Sequence, residues 1–261
     1  MRQIVLFLFL AVLPICIHAA THTDNKASAD SLYAQCKYKE AADAYNAIIT
    51  TKGEVADLYY NLGNCYYKLG DIPHAILNYE RALLLDPSDE DTRANLTLAR
   101  SKTTDKVTPS SEMFFVTWWR ELCNSMSIDG WKTMGIVTFI LTLLGCLFYL
   151  FFHATIVRKI GFYCALLLLI VTIVSNLCAY TQHQTITQRN AAIITTPVVT
   201  VKSSPDPSST QLFVIHEGSR VQLMGNVTGE WSEILFEEGK QGWVPTTSFE
   251  IIEELNFTII Q

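Results

Sequence analysis

The chain has 261 residues, 49% of them hydrophobic and only 17% charged, with a net charge of −6. That balance is too apolar for an ordinary soluble protein, and the absence of a basic tract sets nucleic acid aside as a partner. The seven cysteines form no Cys-x-x-Cys pair and no metal-ligand spacing, so neither a metal nor another cofactor is expected.

The first predicted element is a leader. Arg2 supplies a positive start, and Ile4 to Leu13 is an apolar run too short to span a bilayer comfortably. Pro14 breaks the run, and Ala19 and Ala20 offer small residues for cleavage, which predicts a signal peptide over residues 1–20. Cys16 follows Ile15, where a lipid-modified cysteine would need a small residue before it. An uncleaved anchor is the other reading, and it leaves the following residues on the same side of the membrane.

Residues 25–100 read as helical. Leu58, Leu62, Tyr66 and Leu69 recur at three- and four-residue spacing, Gly70-Asp71 interrupts, and Ala75, Ile76, Tyr79, Leu83 and Leu84 form a second stripe that ends at Asp86-Pro87. This predicts an αα-hairpin. Tyr59, Leu62, Gly63, Tyr66, Ala75, Tyr79, Ala82 and Pro87 sit at the spacing of the tetratricopeptide repeat, which the segment resembles. Thirty-four residues earlier a weaker copy has Tyr38, Glu40, Ala41 and Tyr45 at matching positions, Ala29 in the place of Gly63, and Cys36 in the place of Gly70. Asp91 to Arg100 reads as a closing helix. Two repeats and a cap fall short of the three repeats such arrays usually need, so support from a partner or from the membrane is expected.

A linker and an aromatic helix follow over residues 101–132. Met113, Phe114, Phe115, Trp118, Trp119, Leu122 and Met126 predict an amphipathic helix in the membrane interface, or alternatively a half-buried helix of the repeat module. Residues 133–152 and 160–180 are uncharged runs long enough to cross the hydrocarbon core. The turn between them, 153–159, carries Arg158 and Lys159 and is expected on the cytoplasmic side. Asn176 reads as an interhelical hydrogen bond or an interfacial residue.

Beyond Asn190 the period becomes two. Val199 and Val201, then Leu212 and Val214, alternate with polar neighbours, and turns at Glu217-Gly218 and Thr228-Gly229 precede further strands. The order of Val201-Lys202-Ser203, Glu217-Gly218-Ser219, Trp231 and Gly242-Trp243-Val244-Pro245 resembles a bacterial SH3-like domain over residues 192–254. The expected fold class is therefore a multidomain membrane protein. It combines all-α tetratricopeptide repeats, a transmembrane helical hairpin and a small all-β SH3-like barrel.

No catalytic motif appears. The histidines are scattered at His18, His22, His74, His153, His183 and His216, and no His-Glu-x-x-His, Gly-x-Ser-x-Gly or phosphate loop is present. The candidate site is a binding face. On the helix from Ala56 to Leu69, Asp57, Tyr60, Asn61, Asn64, Tyr67 and Lys68 share the stripe opposite the packing residues. In tetratricopeptide repeats that stripe lines the concave groove that holds a peptide or a partner helix. A plain solvent face is the other reading. Cys36 and Cys65 lie at helix ends that the repeat fold can bring together. They are a candidate disulfide in an oxidising compartment, with a simple core thiol at Cys65 as the alternative.

The order of parts resembles the BatE family of Bacteroidetes aerotolerance operons. The resemblance implies a non-enzymatic adaptor in the bacterial inner membrane, passing twice through the bilayer with both soluble modules in the periplasm. It also implies partners among other Bat proteins, some with von Willebrand A domains. Two alternatives stand beside it: a peptidoglycan binder acting through the SH3-like domain, and a thiol redox sensor acting through Cys36 and Cys65.

Overall fold

The structure, a computed structural model, describes residues 23–105, 113–151, 154–187, 191–236 and 239–252. The expected leader with Cys16, the polar linker around Pro109, and His153 lie outside the described residues.

Five helices come first: α1 (Thr23–Ala34), α2 (Tyr38–Lys52), α3 (Ala56–Leu69), α4 (Ile72–Leu85) and α5 (Glu90–Arg100). They form two hairpins and a single closing helix, a helical tetratricopeptide-like region. Local chemistry marks the boundaries. Gly70 takes a left-handed conformation at φ +82°, and its N–H closes on Tyr66 and Tyr67 carbonyls, which ends α3. The Asp71 carboxylate accepts from the His74 N–H and starts α4, with Pro73 in the first turn. Asp89 caps α5 through the N–H groups of Asp91 and Thr92. Gly63 is needed for packing, because a Cβ there would stand 2.7 Å from the Tyr79 ring.

The next helix, α6, covers Phe114–Cys123 only, less than the aromatic stretch suggests. Asn124 ends it, and the Ser127 hydroxyl accepts the Gly130 N–H at the start of α7 (Ile128–Phe151). Helix α8 runs over Thr155–Thr187. Both α7 and α8 are long and apolar enough to cross a membrane. They pack as a hairpin through small residues. A Cβ on Gly145 would lie 3.0 Å from that of Ala165, and one on Gly161 would lie 3.2 Å from the Gly145 carbonyl oxygen. A side-chain hydrogen bond between these helices joins the Thr138 and Thr172 hydroxyls at 2.9 Å. Asn176 instead donates within its own helix to the Thr172 carbonyl, so the polar link expected at Asn176 is made one turn away.

The C-terminal part is an antiparallel all-β sheet consistent with an SH3-like barrel. Its strands are β1 (Ala191–Ile194), β2 (Val198–Lys202), β3 (Gln211–His216), β4 (Arg220–Thr228), β5 (Trp231–Phe236), β6 (Lys240–Pro245) and β7 (Phe249–Ile251). The sheet order is β3-β2-β6-β5-β4-β1-β7. Ala192, Ile194, Val199, Val201, Ile215, Val221, Ile234 and Val244 fill its core. On β3 the phase differs by one residue from the expected alternation. Phe213 and Ile215 turn inward, while Leu212 and Val214 are exposed. The run Leu-Phe-Val-Ile is apolar at every position, so pairing with β2, which sets Val201 opposite Phe213, decides which side is buried.

The repeat region and the β-domain share a core. Ile193 of β1 and Ile252 after β7 pack with Ala75, Ile76, Leu77 and Tyr79 of α4 and with Leu96 and Ala99 of α5. Arg81 donates from Nε to the Ile252 carbonyl at 2.7 Å and from Nη2 to that of Ile251 at 2.9 Å. Asp105 accepts from the His216 N–H at 2.7 Å and from the Ser219 hydroxyl at 2.8 Å. The support expected from a partner or from the membrane is thus supplied, at this end of the module, by the chain's own β-domain.

Candidate partner-binding face

Helix α3 places the six predicted residues. Leu58, Tyr59, Leu62, Gly63 and Cys65 are buried against the neighbouring helices. Asp57 and Lys68 are exposed, and Tyr60, Asn61, Asn64 and Tyr67 are half-buried. The 3.6-residue period gathers this second set into one continuous stripe, of which Tyr60 and Tyr67 also pack against the core formed by α4 and α5.

The stripe is not uniform. Asn64 is tied down: its Oδ1 accepts from the Tyr79 hydroxyl at 2.7 Å and from Asn95 Nδ2 at 3.0 Å. Asn95, on α5, also reaches the Tyr60 hydroxyl at 3.4 Å. The Tyr60 and Tyr79 rings lie 6.3 Å apart. Asn64 therefore joins α3, α4 and α5, and only part of its capacity is left for a partner. Lys102 Nζ sits 4.1 Å from the centre of the Tyr67 ring. Asp57 pairs with Lys26 of α1 at 3.4 Å, on the surface, where such a pair contributes little. Asn61 and Lys68, with the exposed edges of Tyr60 and Tyr67, are the groups of the stripe best placed to meet a partner.

Asn95, Lys102 and Tyr79 were missed as neighbours of this stripe. The signal for Tyr79 was the repeat register, which sets Asn64 and Tyr79 at the same spacing as Asp30 and Tyr45 one repeat earlier; both pairs are hydrogen-bonded. Asn95 and Lys102 belong to a half-repeat without a motif.

Cys36 and Cys65 are free thiols in this structure. Cys36 is exposed in the α1–α2 turn, whereas Cys65 is buried among Ala29, Ala41, Ala42 and Tyr45. Burial pushes the Cys65 thiol up to about 12, which keeps it protonated and unreactive near neutrality. Among the described residues, no group of three His, Cys, Asp or Glu side chains could hold a metal ion.

The interface between α4 and the β-domain carries its own charge cluster. His74 Nδ1 lies 2.7 Å from Asp71, and its Nε2 lies 3.2 Å from Glu250 at the start of β7. Hydrogen bonds to Asp71 and then to Glu250 outweigh burial and raise the imidazole to about 10. The bond to His74 holds the Glu250 carboxyl below its ordinary value. At Asp71 burial pulls upward, but the His74 hydrogen bonds prevail and hold that carboxyl low as well.

Comparison with known proteins addresses the repeat region. The tetratricopeptide repeat family model matches residues 56–89. The chain is 31% identical over 70 residues to tetratricopeptide repeat protein 16 of Macaca fascicularis and to the protein of that name from Homo sapiens. Those matches cover 27% of this chain and only 8% of each relative. No solved structure matches the chain significantly. The segment from α3 to the end of α4 is a tetratricopeptide repeat, a unit whose usual work is protein–protein interaction rather than catalysis.

Proposed function

We propose that this chain is a non-enzymatic membrane scaffold that holds a partner protein on the α3 stripe, through Asp57, Tyr60, Asn61, Asn64, Tyr67 and Lys68. The carrying observation is that α3 is packed on one side while Asn61, Lys68 and the exposed edges of Tyr60 and Tyr67 meet solvent on the other. Tyrosine adds rigid contact area, and asparagine bonds to a partner backbone in either sense. Membrane anchoring rests on α7 and α8. Only 17% and 22% of their most apolar windows are buried, and side chains such as Phe139, Leu150, Leu167 and Ile170 are exposed. A core helix of a soluble protein would cover these groups.

In this reading the chain passes twice through a bacterial inner membrane. The leader sends the repeats outward, and the hairpin returns the β-domain to the same, periplasmic side. The BatE resemblance adds the partner class: Bat proteins, among them those with von Willebrand A domains. Co-purification of such a co-expressed protein with the detergent-solubilised chain tests the proposal. Asn61→Ala combined with Lys68→Glu should lower recovery at least tenfold while the circular dichroism spectrum stays the same. Undiminished recovery counts against the α3 stripe. Asn64→Ala is a poorer test, because it also removes the acceptor for Tyr79.

A further inference from the structure

We infer that Cys123 and Cys178 form a disulfide-forming dithiol that staples the end of α6 to α8. Their Sγ atoms lie 2.9 Å apart, and both residues are buried. That separation is about 0.9 Å more than the roughly 2.05 Å of a disulfide bond, so closure needs only a small side-chain movement. These positions are 55 residues apart in sequence, and nothing in their local spacing pairs them.

The surroundings hold the pair in place independently of the sulfurs. The Cys123 carbonyl accepts from Trp131 Nε1 at 2.8 Å and from Gln182 Nε2 at 2.6 Å. Gln182 Nε2 also donates to the Met126 carbonyl at 2.9 Å. Trp131, with Trp119, Met134, Val174 and Ala179, packs around both thiols. The Thr181 hydroxyl reaches Cys123 Sγ at 3.4 Å. The end of α6 is thus fixed by three hydrogen bonds to backbone carbonyls, one from Trp131 of α7 and two from Gln182 of α8, and the two thiols face each other inside that frame. Cys146 and Cys164, by contrast, are exposed on the membrane hairpin, and Cys65 is enclosed in the repeat core.

The oxidant is an organic disulfide, either a small molecule or one carried by a protein. One of the two thiolates attacks it, forms a mixed disulfide and releases the first thiol. The second thiolate then attacks the mixed disulfide, forms the Cys123–Cys178 bond and releases the second thiol. Two cysteine thiols are oxidised, one external disulfide is reduced, and the two protons end on the released thiols. The product closes a ring around both apolar helices. It joins the segment that arrives from the repeat module to the segment that leads into β1. The two sides of the α4–β1 interface then diverge from one covalent point at the end of the hairpin where the chain enters α7 and leaves α8.

The test uses the full chain in its own membranes. After exposure to oxidised glutathione, remaining thiols are capped with maleimide under denaturing conditions. The chain is then cleaved at methionine with cyanogen bromide and weighed without reductant. The expected product links fragment 114–126 to fragment 135–224, falls apart on reduction, and is lost in Cys178→Ser but kept in the Cys146→Ser, Cys164→Ser double variant. Full maleimide capping of both Cys123 and Cys178 in the oxidised wild-type sample would overturn the inference. So would a linked product that survives Cys178→Ser. Neither readout depends on partner binding.

Discussion

In the first helical hairpin the Tyr45 hydroxyl donates to Asp30; in the second, 34 residues on, the Tyr79 hydroxyl donates to Asn64. The turns match as well. The Lys37 and Asp71 N–H groups bond to the Leu32 and Tyr66 carbonyls, and those of Cys36 and Gly70 bond to Tyr33 and Tyr67. The surroundings differ. At one pair of equivalent positions stand Ala42 and Ile76. Ile76 is fully buried and its Cδ1 would lie 3.2 Å from a Cβ on Gly218, at the edge of the β-domain. The first turn holds a cysteine at φ 60°, where the second has glycine. The comparison teaches that the repeat skeleton tolerates departures from its motif. The motif-perfect copy is the one that also carries the β-domain and the closing helix.

Six substitutions, and one pH series with its own control variant, test this contrast. Ile76→Ala makes the second hairpin like the first at that position and should cost about 2–5 kcal/mol. Hydrogen exchange on the full chain in detergent should quicken in both α4 and β1. A change confined to α4 would break the claim of a shared core. Gly63→Ala places a Cβ against the buried Tyr79 ring and should cost about 1–3 kcal/mol by thermal unfolding. The first hairpin already has Ala29 at the equivalent position, fully buried, so Ala29→Gly should cost less, roughly 0.5–1 kcal/mol. Tyr79→Phe removes one of two bonds to Asn64 and should cost about 1 kcal/mol, with Tyr45→Phe close behind.

The pH dependence should belong to the second hairpin. His74 is raised to about 10 by Asp71 and Glu250. A raised imidazole contributes its full stabilisation below the unfolded value of about 6.5, less as pH rises, and none above about 10. Asp71 and Glu250 are held low, so their contribution is lost only as pH falls below the ordinary carboxylate range. Thermal unfolding followed from pH 6 upward should show this alkaline decline, and His74→Gln should remove it. The smallest effect is a gain. Cys36→Gly relieves a left-handed cysteine, worth roughly 1–2 kcal/mol, and adds unfolded-state freedom worth about 0.4–1 kcal/mol. A net stabilisation of roughly 0.5–1 kcal/mol should appear as slower exchange at the α1–α2 turn. No gain would mean that the turn is already unstrained.

The sequence by itself determined the elements and their kind. Periodicity near 3.6 marked α3 and α4, Gly70 and Asp71 marked the turn between them, and uncharged length marked α7 and α8. Alternation and turn residues marked the sheet. These signals are local: a helix face, a cap or a strand is encoded within a few residues of itself. The α3 stripe was legible for the same reason, since six positions on one helix share a face by geometry alone. Only the tertiary structure decided how the parts meet. It set the phase of β3 through pairing with β2, tied Asn64 to Asn95, and brought Cys123 within 2.9 Å of Cys178. It also buried Ile76 and Ile193 in one core. Each of these joins residues far apart in the chain, and burial of apolar surface is non-directional. An exposed apolar edge on α4 states that something must cover it. Which segment does so depends on the shape of the whole fold.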